Sequence, residues 1–183
     1  MPWRIALIAS ALIFACQPVQ ADQRDPKLPE FFDQLTQSED PDKAQAIAAE
    51  IWQIWAKHED ERISTQLELG TKLMEQGLLG PAESVFSNLV NDVPDFAEAW
   101  NKRATVNFQL GRFYQSKQDI AKTLELEPRH FGALAGLGMV ELHLGNPEAA
   151  LRAYQQARQI YPEMRDIDQV VRLLEDTVRG QAL

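Results

Sequence analysis

Gly77, Gly111 and Gly145 recur at a step of 34 residues, and so do Pro94, Pro128 and Pro162. Gly70, Ala104 and Gly138 keep the same step. So do Ala82, Ser116 and Ala150, all small, and Phe86, Ile120 and Tyr154, all large. Self-similarity at a fixed period of this size means stacked units, each burying its apolar face only against its neighbours. Three units follow without a gap: 63–96, 97–130 and 131–164.

Each unit reads as two helices and a turn. In the second, Trp100, Ala104 and Phe108 fall on one helical face. Gly111 ends that helix, because glycine tolerates the positive φ of a C-terminal cap. The following helix runs from about Tyr114 to Glu127, and Pro128 stops it. In the third unit Asn146 is a candidate cap and Pro147 stands at a first helical position. The Gly/Ala positions are small so that the two helices of a unit can approach. The large positions are expected to fill the hollows between neighbouring units.

These residues resemble the tetratricopeptide (TPR) pattern of Trp, Leu, Gly and Tyr in helix A, then Ala, Phe or Tyr, Ala and a final Pro in helix B. The second unit has Trp100, Ala104, Ile120 and Pro128, but Arg103 at the Leu place, and Ser116 and Thr123 at Ala places. The third has Leu137, Gly138, Ala150, Tyr154, Ala157 and Pro162, with Leu134 at the Trp place and Glu141 at the Tyr place. The first has Leu69, Gly70, Ala82, Phe86 and Pro94, with Gln66 and Leu89 as departures. The resemblance covers residues 63–164. It implies an all-α, right-handed solenoid of three helix pairs whose A helices line a concave groove, and a protein that binds another protein or a peptide.

A solenoid's terminal units need covers. Residues 165–183 supply one: Ile167, Val170, Val171, Leu174 and Val178 share a helical face, with Gly180 expected as the stop. Residues 28–62 supply the other. Phe31, Phe32 and Leu35 make a short amphipathic helix, and Asp40-Pro41 starts a second that carries Ala44, Ile47, Ala48, Ile51, Trp52, Ile54 and Trp55. This hairpin is expected to cover the first unit, with Trp52 and Trp55 as core residues rather than an exposed patch. Residues 22–27 are expected to be a mobile tether.

Residues 1–21 read as an export signal. Arg4 supplies a positive start, Ile5 to Ala15 an apolar run too short to span a bilayer comfortably, and Val19-Gln20-Ala21 small residues before a cut at Asp22. Ile13-Phe14-Ala15-Cys16 also loosely resembles a lipoprotein box, so lipidation at Cys16 is the alternative. Either cut takes the protein out of the cytoplasm: to the periplasm, or to the outer membrane as a lipoprotein.

From Asp22 onward there are 17 basic and 27 acidic residues, a net charge of −10 with no basic run. That argues against nucleic-acid binding, which needs Lys and Arg to displace phosphate counterions. Cys16 is the only cysteine, so no intrachain disulfide forms. His58, His130 and His143 lack metal-ligand spacing and read as surface residues, and Glu50 and Glu141 as solvated acids. No GxSxG, P-loop, GxGxxG or HExxH motif is present, and no enzyme activity, metal or cofactor is expected.

What the resemblance implies for binding rests on the A-helix positions that face the groove. The candidates are Leu67, Thr71 and Met74 in the first unit, Asn101, Lys102, Thr105 and Phe108 in the second, and Met139 and Leu142 in the third. The subgroup that clamps a C-terminal carboxylate uses Lys, Asn and Arg at positions filled here by Leu67, Thr71, Lys102, Gly132 and Gly136. That clamp is therefore absent. The groove reads as neutral to apolar with one cation, Lys102. An extended peptide or a partner helix would be anchored by Leu67, Met74, Phe108 and Met139, although some of these side chains could instead pack between adjacent helices. Gly132 and Gly136 would let a ligand backbone come close. Self-association, through Trp52 and Trp55 or an end face, is a further expectation to test; the sequence does not specify the oligomeric state.

Overall fold

The computed structural model describes residues 22–181; both cuts expected for the leader, and Cys16, lie outside them. Among the described residues there are nine helices and no strand. They are α1 Leu28–Gln37, α2 Pro41–Trp55, α3 Glu61–Glu75, α4 Leu79–Asp92, α5 Ala97–Gln109, α6 Phe113–Leu126, α7 Phe131–His143, α8 Pro147–Ile160 and α9 Ile167–Gln181. Helices α3 to α8 are three antiparallel pairs, with α3, α5 and α7 side by side.

The repeated residues do what their chemistry requires. Gly77, Gly111 and Gly145 have φ of +75°, +72° and +79°. Each is followed by a backbone bond back to the helix it ends, such as Arg112 N–H to Asn107 O at 2.8 Å. A Cβ on Gly70 would stand 2.5 Å from the Phe86 ring, and one on Gly138 would run into the Tyr154 ring. Glycine is thus the space an aromatic side chain of the partner helix occupies. These large side chains therefore pack inside their own unit rather than in hollows between units. The second unit, with Ala104 and Ile120 at those places, adds a charged contact one residue away. Arg103, at the Leu place, forks onto the buried Asp119 carboxylate at 2.9 and 2.6 Å, and Asn107 Nδ2 donates to the same group at 3.0 Å.

At the C-terminal end, α9 packs on α8 through Ile167, Val171 and Leu174. The helix continues through Gly180 to Gln181 rather than stopping at the glycine. Asn146 does not cap α8; its side chain donates to Glu141 Oε2 at 2.9 Å.

The N-terminal hairpin is not where the sequence reading put it. Asp40 caps α2 by accepting from Asp42 and Lys43 N–H; Phe32, Leu35, Ala44, Ile47, Ile51 and Trp55 are buried as expected, and Leu28 is buried with them. Their partners, however, are Phe131 and Tyr161, at the start and end of the third unit. The Trp55 indole lies flat on the His130 ring, with centroids 4.1 Å apart, and the Trp52 ring stands edge-on to Phe131. Thr36 Oγ1 donates to Ile160 O, and the Arg129 guanidinium sits 4.1 Å from the Phe32 ring. Trp55 is thus buried and Trp52 half-buried against the third unit, core-side as expected rather than an exposed patch.

The segment before the hairpin is fastened rather than a free tether. Gln23 Nε2 donates to Asp95 O at 2.6 Å, Ala97 N–H donates to Gln23 Oε1, and Arg24 pairs with Asp95. Residues 22–56 therefore touch both junctions between units, at Asp95–Ala97 and at His130, and the end of the third unit at Ile160.

The reason the first unit needs no hairpin is written in its own helix. Where α5 and the residue after it pack Ala99, Val106 and the half-buried Leu110, and α7 and the residue after it pack Ala133, Val140 and the half-buried Leu144, α3 and the residue after it carry Thr65, Lys72 and Gln76. Polar side chains make this end face its own cap.

Candidate functional site: the groove of the A helices

The row α3–α5–α7 forms the wall of a groove, and α2 lies along it over the N-terminal ends of those helices. Trp52 is the contact point. Its ring covers Gly132 so closely that a Cβ there would be 2.5 Å from Cη2. Lys102 Nζ lies 5.8 Å from the Trp52 ring centroid and 3.3 Å from Glu98 Oε1. Two expectations change here. Gly132 is small for the chain's own tryptophan, not for a ligand backbone, and Lys102 is tied to Glu98 rather than left as a free cation.

Beneath this contact is a buried polar cluster that the sequence reading missed. Glu98 is 1% exposed and His130 fully buried. His130 Nδ1 accepts the Ala133 N–H at 3.1 Å, so the proton sits on Nε2 and is donated to Glu98 Oε2 at 3.0 Å. Asn101 Nδ2 donates to the same oxygen at 2.9 Å. Burial pushes the Glu98 carboxyl up, but the His130 bond, the Lys102 charge and the Asn101 bond together bring it below the ordinary carboxylate value. His130 is thus a buried helix-start residue, not a surface one.

Glu141 is also not a solvated acid. It is 4% exposed, paired with Lys117 at 2.7 Å, and held below its ordinary value by Lys117 and Asn146 against the opposing effect of burial. His58 is half-buried against Phe96, and His143 is exposed beside Phe108 and Phe113. Among the described residues no three His, Cys, Asp or Glu side chains gather into a group that could hold a metal ion.

The part of the groove that α2 leaves open holds a cavity of about 250 Å³ between α5 and α7. Asn101, Thr105, Phe108 and Met139, all expected from the sequence, line it. Its floor, which the sequence reading did not assign, is Ala104, Ser116, Ile120, Ala133 and Val140. A signal for it existed: Ile120 stands where the other units carry the rings of Phe86 and Tyr154, so the second unit lacks one ring of volume. Gly136 also lines this space, with room at its Cβ: the nearest atom, Ile120 Cδ1, is 3.7 Å away.

The remaining candidates lie elsewhere. Leu67, Thr71 and Lys102 border a second opening, beneath the end of α2. Leu67 is 2% exposed and belongs to the first unit's core, against which Met74 also packs. Those two anchors are core residues. Leu142 is exposed and borders neither opening.

Stacked helix pairs with a groove along one row of helices define a helical-repeat protein. The sequence profile of the tetratricopeptide repeat matches residues 95–163. A TPR repeat-containing protein of Rhizobium etli is 35% identical over 154 residues, covering 84% of this chain and 76% of that protein. The chain belongs to the tetratricopeptide repeat family. Among solved structures, the first TPR of Spaghetti (RPAP3) bound to an HSP90 peptide superposes with a TM-score of 0.62 at 18% identity, covering 65% of this chain and 94% of that one. MamA superposes at 0.60 with 22% identity, covering 80% and 83%. Repeats of this family commonly mediate protein–protein contacts and are typically non-catalytic.

Proposed function

We propose that this protein is a non-catalytic adaptor of the bacterial periplasm that holds a segment of another protein in its groove. The observation that carries the reading is the open, largely apolar cavity between α5 and α7, flanked by Phe108 and the 43%-exposed Met139. A side chain entering it displaces water from apolar surface without reorganising the wall, so little ordering cost opposes binding. A structural neighbour was solved with a peptide bound, which supports a peptide-sized ligand here.

Helix α2 already covers the N-terminal ends of the A helices, and the open cavity runs along α5 from Asn101 to Gln109. Carboxylate-tail clamping is disfavoured, since Lys102 is occupied by Glu98 and Gly132 is covered by Trp52.

Peptides selected on the purified protein from a random display library should compete for one site. Met139→Asp should weaken them at least tenfold with little change in Tm, because the side chain is exposed. Failure to select any peptide, or binding indifferent to Met139→Asp, refutes the groove reading. The periplasmic assignment rests on residues 1–21. Fractionation with N-terminal sequencing checks it, and palmitate labelling lost on Cys16→Ala would favour the lipoprotein form instead.

A further inference from the structure

Resting on the groove reading above, we propose that the cavity between α5 and α7 is a socket for a single tryptophan side chain of the partner. Three observations converge. The first is size: a cavity of about 150 Å³ accommodates benzene, and the 250 Å³ here leaves room for a two-ring side chain. The second is register. Phe86 and Tyr154 each fill the space between the helices of their unit with a ring, while Ile120 does not, so the space missing its occupant has aromatic dimensions.

The third is a polar handle. Asn101 lines the cavity and is 8% exposed. Its Nδ2 is fixed by the Glu98 carboxylate, which can only accept, so the amide cannot flip. Oδ1 is thereby turned away from Glu98, and among the described residues no donor reaches it. An accessible acceptor at an apolar wall, with no protein donor, is matched by a ligand that is apolar over most of its surface and carries one donor. The indole of tryptophan is such a group, with a donor N–H and no acceptor.

Indole and 1-methylindole, which are alike in shape but differ in the N–H, test the proposal directly. Each is titrated into methyl-labelled full protein and followed by NMR. Indole should shift the methyl signals of Ala104, Ala133 and Met139, and 1-methylindole should bind about three- to tenfold more weakly, the effect of one hydrogen bond. Gly136→Leu, which puts a side chain into the socket, should abolish the shifts while the protein keeps its helical spectrum and Tm. Equal affinity for the two probes, no binding of indole at low-millimolar concentration, or shifts confined to residues outside the cavity would each overturn the proposal. Library peptides that bind through Met139 but carry no aromatic residue would also overturn it while leaving the groove reading intact; the absence of any binding peptide would remove both.

Discussion

The seam between the hairpin and the array can be tested with one methyl group. Gly132 and Gly136 are on the same helix, four residues apart, and both line the cavity. Replacing Gly136, inside α7, by Ala gains about 0.8–1.0 kcal/mol of helix propensity, whereas Gly132, the second residue of the helix, gains less. At Gly136 the new Cβ meets nothing nearer than Ile120 Cδ1 at 3.7 Å, ordinary contact, so that gain stands. At Gly132 it would lie 2.5 and 2.6 Å from the Trp52 ring. Trp52 cannot give easily, because its ring is also wedged against Trp55, His130 and Phe131. Overpacking of this kind costs about 1–3 kcal/mol. The smaller propensity gain at Gly132 adds to this difference, so Gly132→Ala should be less stable than Gly136→Ala by at least that amount. In urea unfolding the difference appears in the midpoint at constant slope. In a thermal melt it is roughly 2–4 °C per kcal/mol for a chain of this size. If both variants are equally stabilised, Trp52 does not sit on Gly132, and the placement of the hairpin across the groove is wrong.

Asp119→Ala should destabilise by about 3 kcal/mol or more, because it strands the Arg103 guanidinium between two helices. Arg103→Leu/Asp119→Ala should recover most of that loss in the same urea titration; no recovery would mean that the pair does not bridge α5 and α6. The two depressed carboxyls set an acid limit. Glu98 and Glu141 have folded values below their unfolded ones. The stability they contribute is therefore complete above the unfolded value, about 4.3, and is lost as pH falls through the lowered folded values. Tm measured downward from neutral pH should hold and then drop in the acid range, with a shallower drop in Glu98→Gln. An unchanged slope in that variant would show that Glu98 is not held as its carboxylate.

The helix pairs could be read from the sequence because their determinants are local. A glycine at positive φ, a small residue opposite a ring and a proline after a helix each act within one unit, and a fixed step repeats them. The hairpin was different. Its apolar face said that it must pack, but the matching surface is assembled from His130, Phe131 and Tyr161, residues distant in the chain that look individually like ordinary unit ends. The polar triplet Thr65, Lys72 and Gln76 was the one readable sign that nothing covers the first unit. Lys102 and His130 read differently in the sequence, and Glu98 goes unmarked there, for a related reason. Charge in a sequence looks solvated until something lands on it, and here Trp52 and Trp55 do. Of the groove candidates, Asn101, Thr105, Phe108 and Met139 come together because they share two adjacent A helices. Leu67 and Met74 do not, because the first unit uses them for its own interior.

The fastening of residues 22–56 across every junction sets this chain apart from an open-ended stack. In an array whose units touch only their neighbours, length can change by copying or deleting a unit. Here the spacing between the Asp95 anchor, the His130 platform and the Ile160 carbonyl is gauged by a segment of fixed length. An inserted unit would pull those anchors out of reach of one another. The protein has in effect a built-in ruler, and the number of its repeats is tied to the size of the strap that spans them.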